Sequence, residues 1–300
     1  MSVALDPARF ARAGAADRLA AGGRYDEAAE EYRELCFGAD AGSLRRETRD
    51  VLLTRMLKLL CKAGRNGEAH ATFAQILPLL PACDAEFDAV YCRSQAAANV
   101  VPVPFARRLR VFGLTRLLRR TAGVAGDVAE CGTGFGLSST VLCAYLALED
   151  TEFRGGGYHA CDSFEGLSEP QDEDQVPPDH PNAANLQNMT RAGAFGFPLE
   201  RLRSVLAAYP DIDYHPGWIP HSLASMPERR YRFVHVDVDL YAPTLGAFKY
   251  FFPRLAPGGI IASDDYSWPG AYKALHQFAA ASGVPLETNV HDQAWMTKPC

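Results

Sequence analysis

The stretch Gly126-Asp-Val-Ala-Glu130-Cys-Gly132-Thr-Gly134-Phe-Gly136-Leu-Ser-Ser-Thr140-Val-Leu-Cys-Ala-Tyr-Leu146 decides the fold. It opens with a short apolar run, continues with three glycines at every second position, and closes with apolar residues at helical spacing. This order predicts a strand, a tight turn and a helix. Because glycine adopts backbone torsions that other residues avoid and lets a ligand approach the main chain, the turn is a candidate ligand-binding loop.

The glycine spacing distinguishes between nucleotide ligands. A dinucleotide loop of the form G-x-G-x-x-G requires glycine at position 137, where this chain has Leu137, so a nicotinamide oxidoreductase is disfavoured. An acid followed by alternating glycines is instead associated with S-adenosylmethionine. The alternative is a tight turn without a ligand in another kind of α/β domain. The predicted cofactor contacts in and beside the loop are Glu130, Cys131, Gly132, Thr133, Gly134, Gly136 and Ser138.

Length and composition indicate a protein of two domains. The chain has 300 residues, 48% of them hydrophobic, which suffices for one large core or two ordinary ones. Its formal net charge of −6 argues against a general nucleic-acid-binding function. Arginines cluster between positions 107 and 120 among apolar residues at helical spacing, and we interpret them as the solvated face of a helix.

Cysteine usage and the first residues indicate a cytoplasmic protein. The eight cysteines include no Cys-x-x-Cys pair and several lie in apolar runs, so we expect reduced core residues rather than disulfides or zinc ligands. Charged residues, from Asp6 to Asp17, occupy the place where a signal peptide requires an apolar run. No stretch approaches the length of a membrane span, so no membrane association is expected.

Residues 1–98 show helical periodicity and a weak internal repeat. The segment 23–35 aligns with 64–76 at an offset of 41 residues and resembles the helix-turn-helix unit of tetratricopeptide repeats, with two copies visible. Two roles stay open: a helical cap on the second domain, or a module that forms a homo-oligomer or binds a partner protein. Pro102-Val-Pro104 breaks the helical pattern, which predicts domains at 1–98 and 105–300 with a linker at 99–104.

From Phe105 onward, strand and helix patterns alternate, which predicts an α/β domain with a Rossmann-like parallel sheet and helices on both faces. The second strand ends at Asp162, where an acid can accept hydrogen bonds from a ribose diol or simply cap a turn. Residues 168–182 then carry five acids, four prolines and no basic residue. We predict a mobile surface loop there, which is either a lid or a plain insertion. Trp218, beyond a predicted third strand, offers a face for an aromatic ring.

Carboxylates follow two later strands. The segment 231–240 is a strong strand pattern with Asp237 and Asp239 alternating onto one face, and the fifth predicted strand, 260–263, runs into Asp264-Asp265. Neighbouring parallel strands would bring Asp237, Asp264 and Asp265 to the same edge of the sheet. There they would repel one another unless a cation lay between them. A hard ion such as Mg²⁺ suits three carboxylates; the alternative is that each acid caps a helix or turn.

The ordered set of motifs resembles the macrocin-type (TylF/MycF) O-methyltransferases, which methylate sugar hydroxyls on antibiotics. The resemblance covers about residues 105–298 and rests on Gly126-Asp-Val-Ala-Glu130-Cys-Gly132, Asp162-Ser-Phe-Glu-Gly166, Gly217-Trp218, Asp237-Val-Asp-Leu-Tyr241-Ala-Pro-Thr244, and Pro257-Gly-Gly259 followed by Asp264-Asp-Tyr266. It implies a class I methyltransferase fold and a Mg²⁺ site at Asp237, Asp264 and Asp265. It also implies S-adenosylmethionine contacts at Asp162, Ser163, Gly217, Trp218 and Asp237.

The chemistry of methyl transfer predicts the remaining roles. The methyl group moves from a sulfonium to an oxygen in one in-line displacement, so the acceptor hydroxyl must be aligned and made a better nucleophile. Coordination to Mg²⁺ lowers the pKa of the hydroxyl. Asp237 is the favoured proton acceptor, with His221 and His291 as further candidates. His235 lies within a strand, and we interpret it as structural.

We therefore expect an O-methyltransferase that depends on S-adenosylmethionine and Mg²⁺ and acts on a sugar-like or vicinal-diol hydroxyl of a natural product or other small molecule. Two alternatives stay open. One keeps the fold but takes phenol or catechol acceptors, and a comparison of sugar and phenol acceptors separates it. The other is an interaction protein whose helical repeats do the binding and whose methyltransferase domain is non-catalytic; a pull-down that depends on residues 1–98 would support it.

Overall fold

The computed structural model describes residues 7–38, 41, 46–76, 85–100, 105–178, 183–289 and 292–300. The chain folds into two compact units. One comprises Met1–Ala89 with Pro102–Leu109, and the other Val90–Val101 with Arg110–Cys300. The domain limits at 98 and 105 stay a prediction, and the linker residues Pro102-Val-Pro104 lie outside the described residues.

The first unit is helical, with α1 (Pro7–Ala21), α2 (Tyr25–Phe37), α3 (Arg46–Lys62) and α4 (Asn66–Ile76). Both copies of the repeat begin with the same turn. Gly23 and Gly64 have φ angles of 76° and 79°, and the N–H of the following arginine donates to Leu19 O at 2.9 Å in one copy and to Leu60 O at 2.8 Å in the other. A left-handed glycine that ends a helix in this way is common. The two segments therefore share a local structure as well as a sequence pattern. Their identity as tetratricopeptide repeats stays a prediction.

Seven further helices follow among the described residues: α5 (Phe87–Ala97), α6 (Phe105–Arg120), α7 (Leu137–Glu149), α8 (Ala183–Met189), α9 (Leu199–Val205), α10 (Tyr241–Phe251) and α11 (Pro269–Ser282). Within the described part of the chain, no helix has both the length and the hydropathy needed to cross a bilayer.

The second unit is built on one mixed sheet. Its strands are β1 (Asp127–Cys131), β2 (Tyr158–Asp162), β3 (Asp213–Pro216), β4 (Tyr231–Val236), β5 (Leu255–Ser263), β6 (Glu287–Thr288) and β7 (Ala294–Thr297), in the spatial order β3-β2-β1-β4-β5-β7-β6. The first five strands run parallel, and β7 is antiparallel to both β5 and β6. Sequence order reverses at β1 and β4, and ligands bind at such a switch point in open α/β sheets. The predicted fold class is confirmed.

Helices cover both faces of this sheet because alternate residues of β1 and β4 point in opposite directions. On one face, Cys131 and Val236 belong to a buried core with Phe248 of α10 and Leu275 of α11. On the other face, Glu130 receives a hydrogen bond from Ser139 of α7. Each strand thereby delivers its carboxyl end to an edge between two layers of helices.

The fifth strand is longer than predicted. We expected residues 260–263, but β5 begins at Leu255 and runs through Pro257-Gly-Gly259. The cause is a pairing distant in sequence: Gly258 N–H donates to Lys298 O at 2.9 Å, and Lys298 N–H donates to Gly259 O at 2.8 Å. These two bonds hold in the sheet a segment whose composition predicts a turn, with Gly258 at a φ of 80°.

Candidate functional site

The glycine loop lies directly against the end of β4. Gly132 has a φ of 83°, and its N–H donates to Cys161 O at 2.9 Å. A Cβ atom at this position would collide with the carbonyl oxygen of Asp237. Gly134, with a φ of 46°, has no atom within 4 Å of an added Cβ. The first glycine therefore permits close packing of two strand ends, whereas Gly134 leaves an open backbone surface that a ligand can approach.

Asp162 ties the glycine loop to the end of β2. Its Oδ2 accepts hydrogen bonds from the N–H of Thr133 at 2.7 Å and from the Thr133 hydroxyl at 3.0 Å, and its Oδ1 accepts one from the N–H of Phe164 at 2.7 Å. A carboxylate offers about four acceptor positions, so Asp162 retains capacity for a ligand hydroxyl. Its half-buried side chain lies where a ribose would reach it in a doubly wound sheet.

Three other predicted cofactor contacts gather around the same turn. The Ser163 hydroxyl donates to Gly166 O at 2.7 Å, and the indole Nε1 of Trp218 donates to the same oxygen at 3.2 Å. The N–H of Gly217 donates to Asp162 O at 2.9 Å. The Trp218 side chain is 44% exposed, so an aromatic face is available beside the loop.

Glu130, in contrast, points into the interior. It is fully buried, and its carboxylate accepts hydrogen bonds from Ser139 and from the hydroxyl of Tyr158, the latter at 2.6 Å. Its Oε1 lies 3.1 Å from Nδ1 of His235. Three protein partners therefore occupy the carboxylate that we predicted as a cofactor contact. Of the other loop residues, Cys131 is buried and Ser138 is half-buried. Gly136, with a φ of 80°, is the N-cap residue directly before α7.

Asp265 has one carboxylate oxygen for which the described part of the chain supplies no hydrogen-bond donor. Its Oδ2 accepts hydrogen bonds from the N–H groups of Val238 and Asp239, each at 2.9 Å, while its Oδ1 is buried and has no hydrogen-bond partner among the residues that the structure describes. Carboxylate oxygens of Asp237, Asp239 and Asp265 lie within 4.8 Å of one another. Burial, reinforced by the charges of Asp237 and Asp239, raises the pKa of Asp265 well above its usual value.

Asp264, the neighbouring acid, is fully engaged. Its Oδ1 accepts a hydrogen bond from the Gln293 amide at 2.7 Å, and its Oδ2 lies 3.4 Å from Nε2 of His235 and 4.0 Å from Nε of Arg110. Burial opposes the charge, but His235 and Arg110 outweigh burial and keep the pKa of Asp264 below its usual value. The two adjacent acids thus differ: cationic side chains neutralise Asp264, whereas Asp265 faces other acids.

His235 connects these two parts of the site. It is completely buried, with Glu130 at one ring nitrogen and Asp264 at the other. Burial alone would lower the pKa of His235, but Asp264 and Glu130 outweigh it and raise the pKa to about 10. The imidazole therefore carries a positive charge between two carboxylates. The structural role that we expected for His235 stays a prediction.

The acid cluster of Asp237, Asp239 and Asp265 fits a divalent cation. It supplies several carboxylate oxygens within a short distance, one of them buried and without a donor in the residues that the structure covers, which is the arrangement that hard cations prefer. A second group joins Asp237 to Asp264 and His235. Asp237 belongs to both groups, while Asp264 and Asp265 fall in different ones. Asp239, which our predicted metal site omitted, is signalled in the sequence by its alternation with Asp237. The ligand set Asp237, Asp264 and Asp265 stays a prediction.

His221 and His291 are the further candidates for the proton acceptor. His221 is exposed at the first position of a short 3₁₀ turn, His221–Ser225, beyond β3. His291 lies outside the described residues. The predicted roles of both as proton acceptors stay predictions.

Known proteins resemble this chain in sequence and in fold. The family model described as macrocin-O-methyltransferase (TylF) matches residues 106–296. The 8-demethyl-8-(2,3-dimethoxy-alpha-L-rhamnosyl)-tetracenomycin-C 4'-O-methyltransferase of Streptomyces olivaceus is 32% identical over 167 residues, which are 54% of this chain and 61% of that protein. The mycinamicin III 3''-O-methyltransferase of Micromonospora griseorubida is 29% identical over 171 residues, 55% of this chain and 65% of that protein. The chain thus matches less than two thirds of the length of either relative.

A solved structure supports the fold independently. The O-methyltransferase NovP superposes with a TM-score of 0.53 at 20% identity, covering 64% of this chain and 80% of that one. At this identity the likeness concerns the fold, which is that of a class I methyltransferase. Because the family model spans more than half of the chain, from within α6 into β7, the chain belongs to the macrocin O-methyltransferase (TylF) family.

Proposed function

We propose that this protein transfers a methyl group from S-adenosylmethionine to a hydroxyl oxygen of a sugar-like or vicinal-diol acceptor, with Mg²⁺ bound at the acid cluster. The observation that carries the proposal is the position of the cluster. Asp237 packs backbone to backbone against Gly132 of the glycine loop, and its carboxylate lies within 4.8 Å of Asp265, whose buried Oδ1 has no hydrogen-bond donor in the described part of the chain. A nucleotide loop and a cation site at one sheet edge suit transfer between two bound substrates.

The cofactor would be held mainly by main chain and by one acid. The open backbone at Gly134 allows close approach, Asp162 has acceptor capacity for ribose hydroxyls, and Trp218 offers an exposed aromatic face. Glu130 would act indirectly, because its carboxylate binds Ser139 of α7 and so fixes the helix that begins at the loop.

The acceptor hydroxyl would meet the acids. When bound, Mg²⁺ would lower the pKa of a coordinated hydroxyl and orient a diol. Asp237, Asp239 and Asp265 would hold the ion. We assign Asp237 as the proton acceptor because it belongs to both candidate metal-binding groups, the acid cluster and the group that contains Asp264 and His235. General-base assistance of this kind is typically worth ~10² to 10⁴ in rate. His221 and His291 are the further candidates.

The names of the relatives favour a sugar acceptor over a phenol. One of those relatives is named for the 4'-oxygen of a rhamnosyl-bearing tetracenomycin and another for the 3''-oxygen of mycinamicin III. Since this chain matches less than two thirds of each relative, the acceptor class is inferred from chemistry that the relatives share. Phenols and catechols serve as the competing acceptor class in the test.

The test is a methyl-transfer assay followed by mass spectrometry. Rhamnosyl glycosides, simple vicinal diols and catechols are compared as acceptors, with Mg²⁺ and with a chelator. We expect transfer to the glycosides that is lost with the chelator and in Asp265→Asn. Asp211→Asn, which removes an exposed acid paired with Arg154 at 3.5 Å, is the matched control and should retain activity. Transfer that is unaffected by both the chelator and Asp265→Asn would contradict the metal assignment, and transfer to catechols alone would contradict the acceptor class.

The helical unit would provide a contact for a second copy or for another protein. Two large apolar side chains support this role, since Phe10 is 68% exposed and Phe37 is 50% exposed. Light scattering of the full chain and of a Phe10→Ser, Phe37→Ser variant tests self-association. A monomeric wild-type chain would contradict the homo-oligomer.

A further inference from the structure

The segment between β2 and α8 contains a buried acid, Asp174, that does not belong to the acid cluster. Residues 171–178, here called the strap, have the acidic, proline-rich composition from which we predicted a mobile surface loop. In the structure they include a 3₁₀ turn, Asp172–Asp174, and the Asp174 side chain is only 4% exposed. A carboxylate is rarely buried to this extent unless it is paired.

Asp174 is paired with two backbone donors, one three residues away and one distant in sequence. Its Oδ1 accepts a hydrogen bond from the N–H of Tyr241 at 2.7 Å, and its Oδ2 accepts one from the N–H of Gln171 at 2.9 Å. Tyr241 is the first residue of α10, and the residue before it, Leu240, has no side chain that can cap the helix. Asp174 therefore satisfies an N–H group that the helix leaves unpaired, and its negative charge opposes the positive end of the helix dipole.

A second helix closes around the same carboxylate. A Cβ atom at Gly270, in the first turn of α11, would collide with Oδ1 of Asp174 and would lie 2.9 Å from the Tyr241 nitrogen. Glycine at 270 thus leaves the space that the carboxylate fills. Two further contacts join the strap to neighbouring elements. Lys273 Nζ donates to Glu173 O at 2.8 Å. Val176 belongs to a small buried cluster with Trp268, Ala271 and Leu186.

The order of the strands in the sheet relates these contacts to the glycine loop. The strap starts beyond β2 and is fastened to the helices that follow β4 and β5, while β1 lies between β2 and β4. This order places β1, whose carboxyl end carries the glycine loop, between the strand that the segment leaves and the helices to which it is fastened. It is fastened at Tyr241, two residues after Asp239, whose N–H donates to Asp265.

We propose that Asp174 is a positioning residue that latches the strap across the candidate site and, by capping α10, fixes the backbone behind the acid cluster. The carboxylate joins three segments, namely the strap, the start of α10 and the start of α11. The strap is then a fixed wall of the crevice rather than a mobile loop. The kinetic part of this inference rests on the proposed methyl transfer, whereas the structural part does not.

Hydrogen exchange of the ligand-free full chain tests the latch directly. Asp174→Ala removes both acceptors, and Gly270→Ala leaves Asp174 intact but fills its space, so the two changes disturb the same contact from opposite sides. We expect both to speed amide exchange in the strap and at Tyr241 about fivefold or more. Asp172→Ala, which removes an exposed acid in the same turn, is the matched control and should leave exchange unchanged.

Asp174→Asn provides a milder variant, because an amide oxygen can still accept from Tyr241 while the charge is lost. It should fall between wild type and Asp174→Ala. Unchanged exchange in both Asp174→Ala and Gly270→Ala, or an equal effect of Asp172→Ala, would overturn the latch.

Kinetics separate the latch from a general loss of stability. In the active enzyme we expect Asp174→Asn to raise the acceptor KM about tenfold while the affinity for S-adenosylhomocysteine stays within about twofold. A fall in kcat with the acceptor KM and the affinity for S-adenosylhomocysteine both unchanged would contradict the proposal that the strap is a fixed wall of the site. If no acceptor is ever methylated, the proposed function fails, yet the exchange measurements still decide whether Asp174 holds the strap.

Discussion

Gly132 and Asp237 meet backbone to backbone, so closely that the carbonyl oxygen of Asp237 occupies the space a side chain at 132 would need. Gly132 belongs to the predicted cofactor loop, and Asp237 belongs to both candidate metal-binding groups at the sheet edge. Their contact couples the two halves of the proposed reaction. A change at either position should therefore be felt at the other.

Gly132→Ala tests this coupling. The substitution imposes both a left-handed conformation on alanine, at a φ of 83°, and a collision with Asp237. We expect a loss of roughly 3 kcal/mol or more in the free energy of unfolding, together with weaker binding of S-adenosylhomocysteine. Gly123→Ala is the control, because Gly123 has a φ of 85° with no atom near its added Cβ, and it should cost only about 1 kcal/mol. Equal losses measured by urea unfolding would argue against the contact.

The buried charge of His235 gives a second prediction. His235→Leu leaves Glu130 and Asp264 as buried carboxylates without their shared cation, so we expect a loss of about 3–5 kcal/mol in the free energy of unfolding. His221→Leu makes the same substitution at an exposed position and should change stability by less than about 0.5 kcal/mol. Urea unfolding of both variants checks this. A His235→Leu loss below about 1 kcal/mol would show that the ionic bridge is absent in solution.

Asp264 and Asp265 should respond oppositely to the same substitution. Without metal, Asp265→Asn removes repulsion from Asp237 and Asp239 while an amide oxygen still accepts from Val238, so we expect the metal-free protein to gain about 1 kcal/mol. Asp264→Asn deprives His235 of one of its two charged partners, leaving Glu130, and should cost about 2–4 kcal/mol. Thermal and urea unfolding in a chelator measure both changes. Losses of similar size in the two variants would contradict the division of roles between these acids.

Acid should weaken the protein through His215. Burial, with the charge of His159 as a smaller cause, lowers the pKa of His215 below its usual value, while Asp213 partly opposes this. The unfolded chain therefore binds this proton more readily than the folded one. The stabilisation is present above the unfolded pKa and is lost as the pH falls through the lower folded value. His235, whose raised pKa acts in the opposite direction as the pH falls, is present in both proteins. From pH 7.5 to 5.5 we therefore expect the change in the free energy of unfolding to be more negative, or less positive, in the wild-type protein than in His215→Gln; identical changes would remove His215 as a cause.

Local patterns predicted much of this architecture. The glycine loop, the strands that carry Asp162 and Asp237, and the position of Asp264 and Asp265 beyond β5 all follow from apolar runs that end in glycine or acid. These signals lie within a few residues of the feature they predict. For the same reason the α/β fold class could be expected before any strand pairing was known.

Features that depend on distant partners could not be predicted in this way. The sequence shows Glu130 beside a cofactor loop, but only the register of β1 with β4 places it opposite His235. Composition indicates a mobile strap, yet Asp174 binds an N–H group 67 residues away and fits against a glycine in another helix. Which of two adjacent acids is neutralised likewise depends on Arg110 and Gln293, which lie far from Asp264 in the chain.

Calorimetric titration of Mg²⁺ into the protein saturated with S-adenosylhomocysteine tests the central claim most directly. We predict one ion bound per chain, with the heat of binding lost in Asp265→Asn and retained in Asp211→Asn. No Mg²⁺ binding by the wild-type chain, or equal binding by Asp265→Asn, would show that the acid cluster at the end of β4 and β5 is not the metal site.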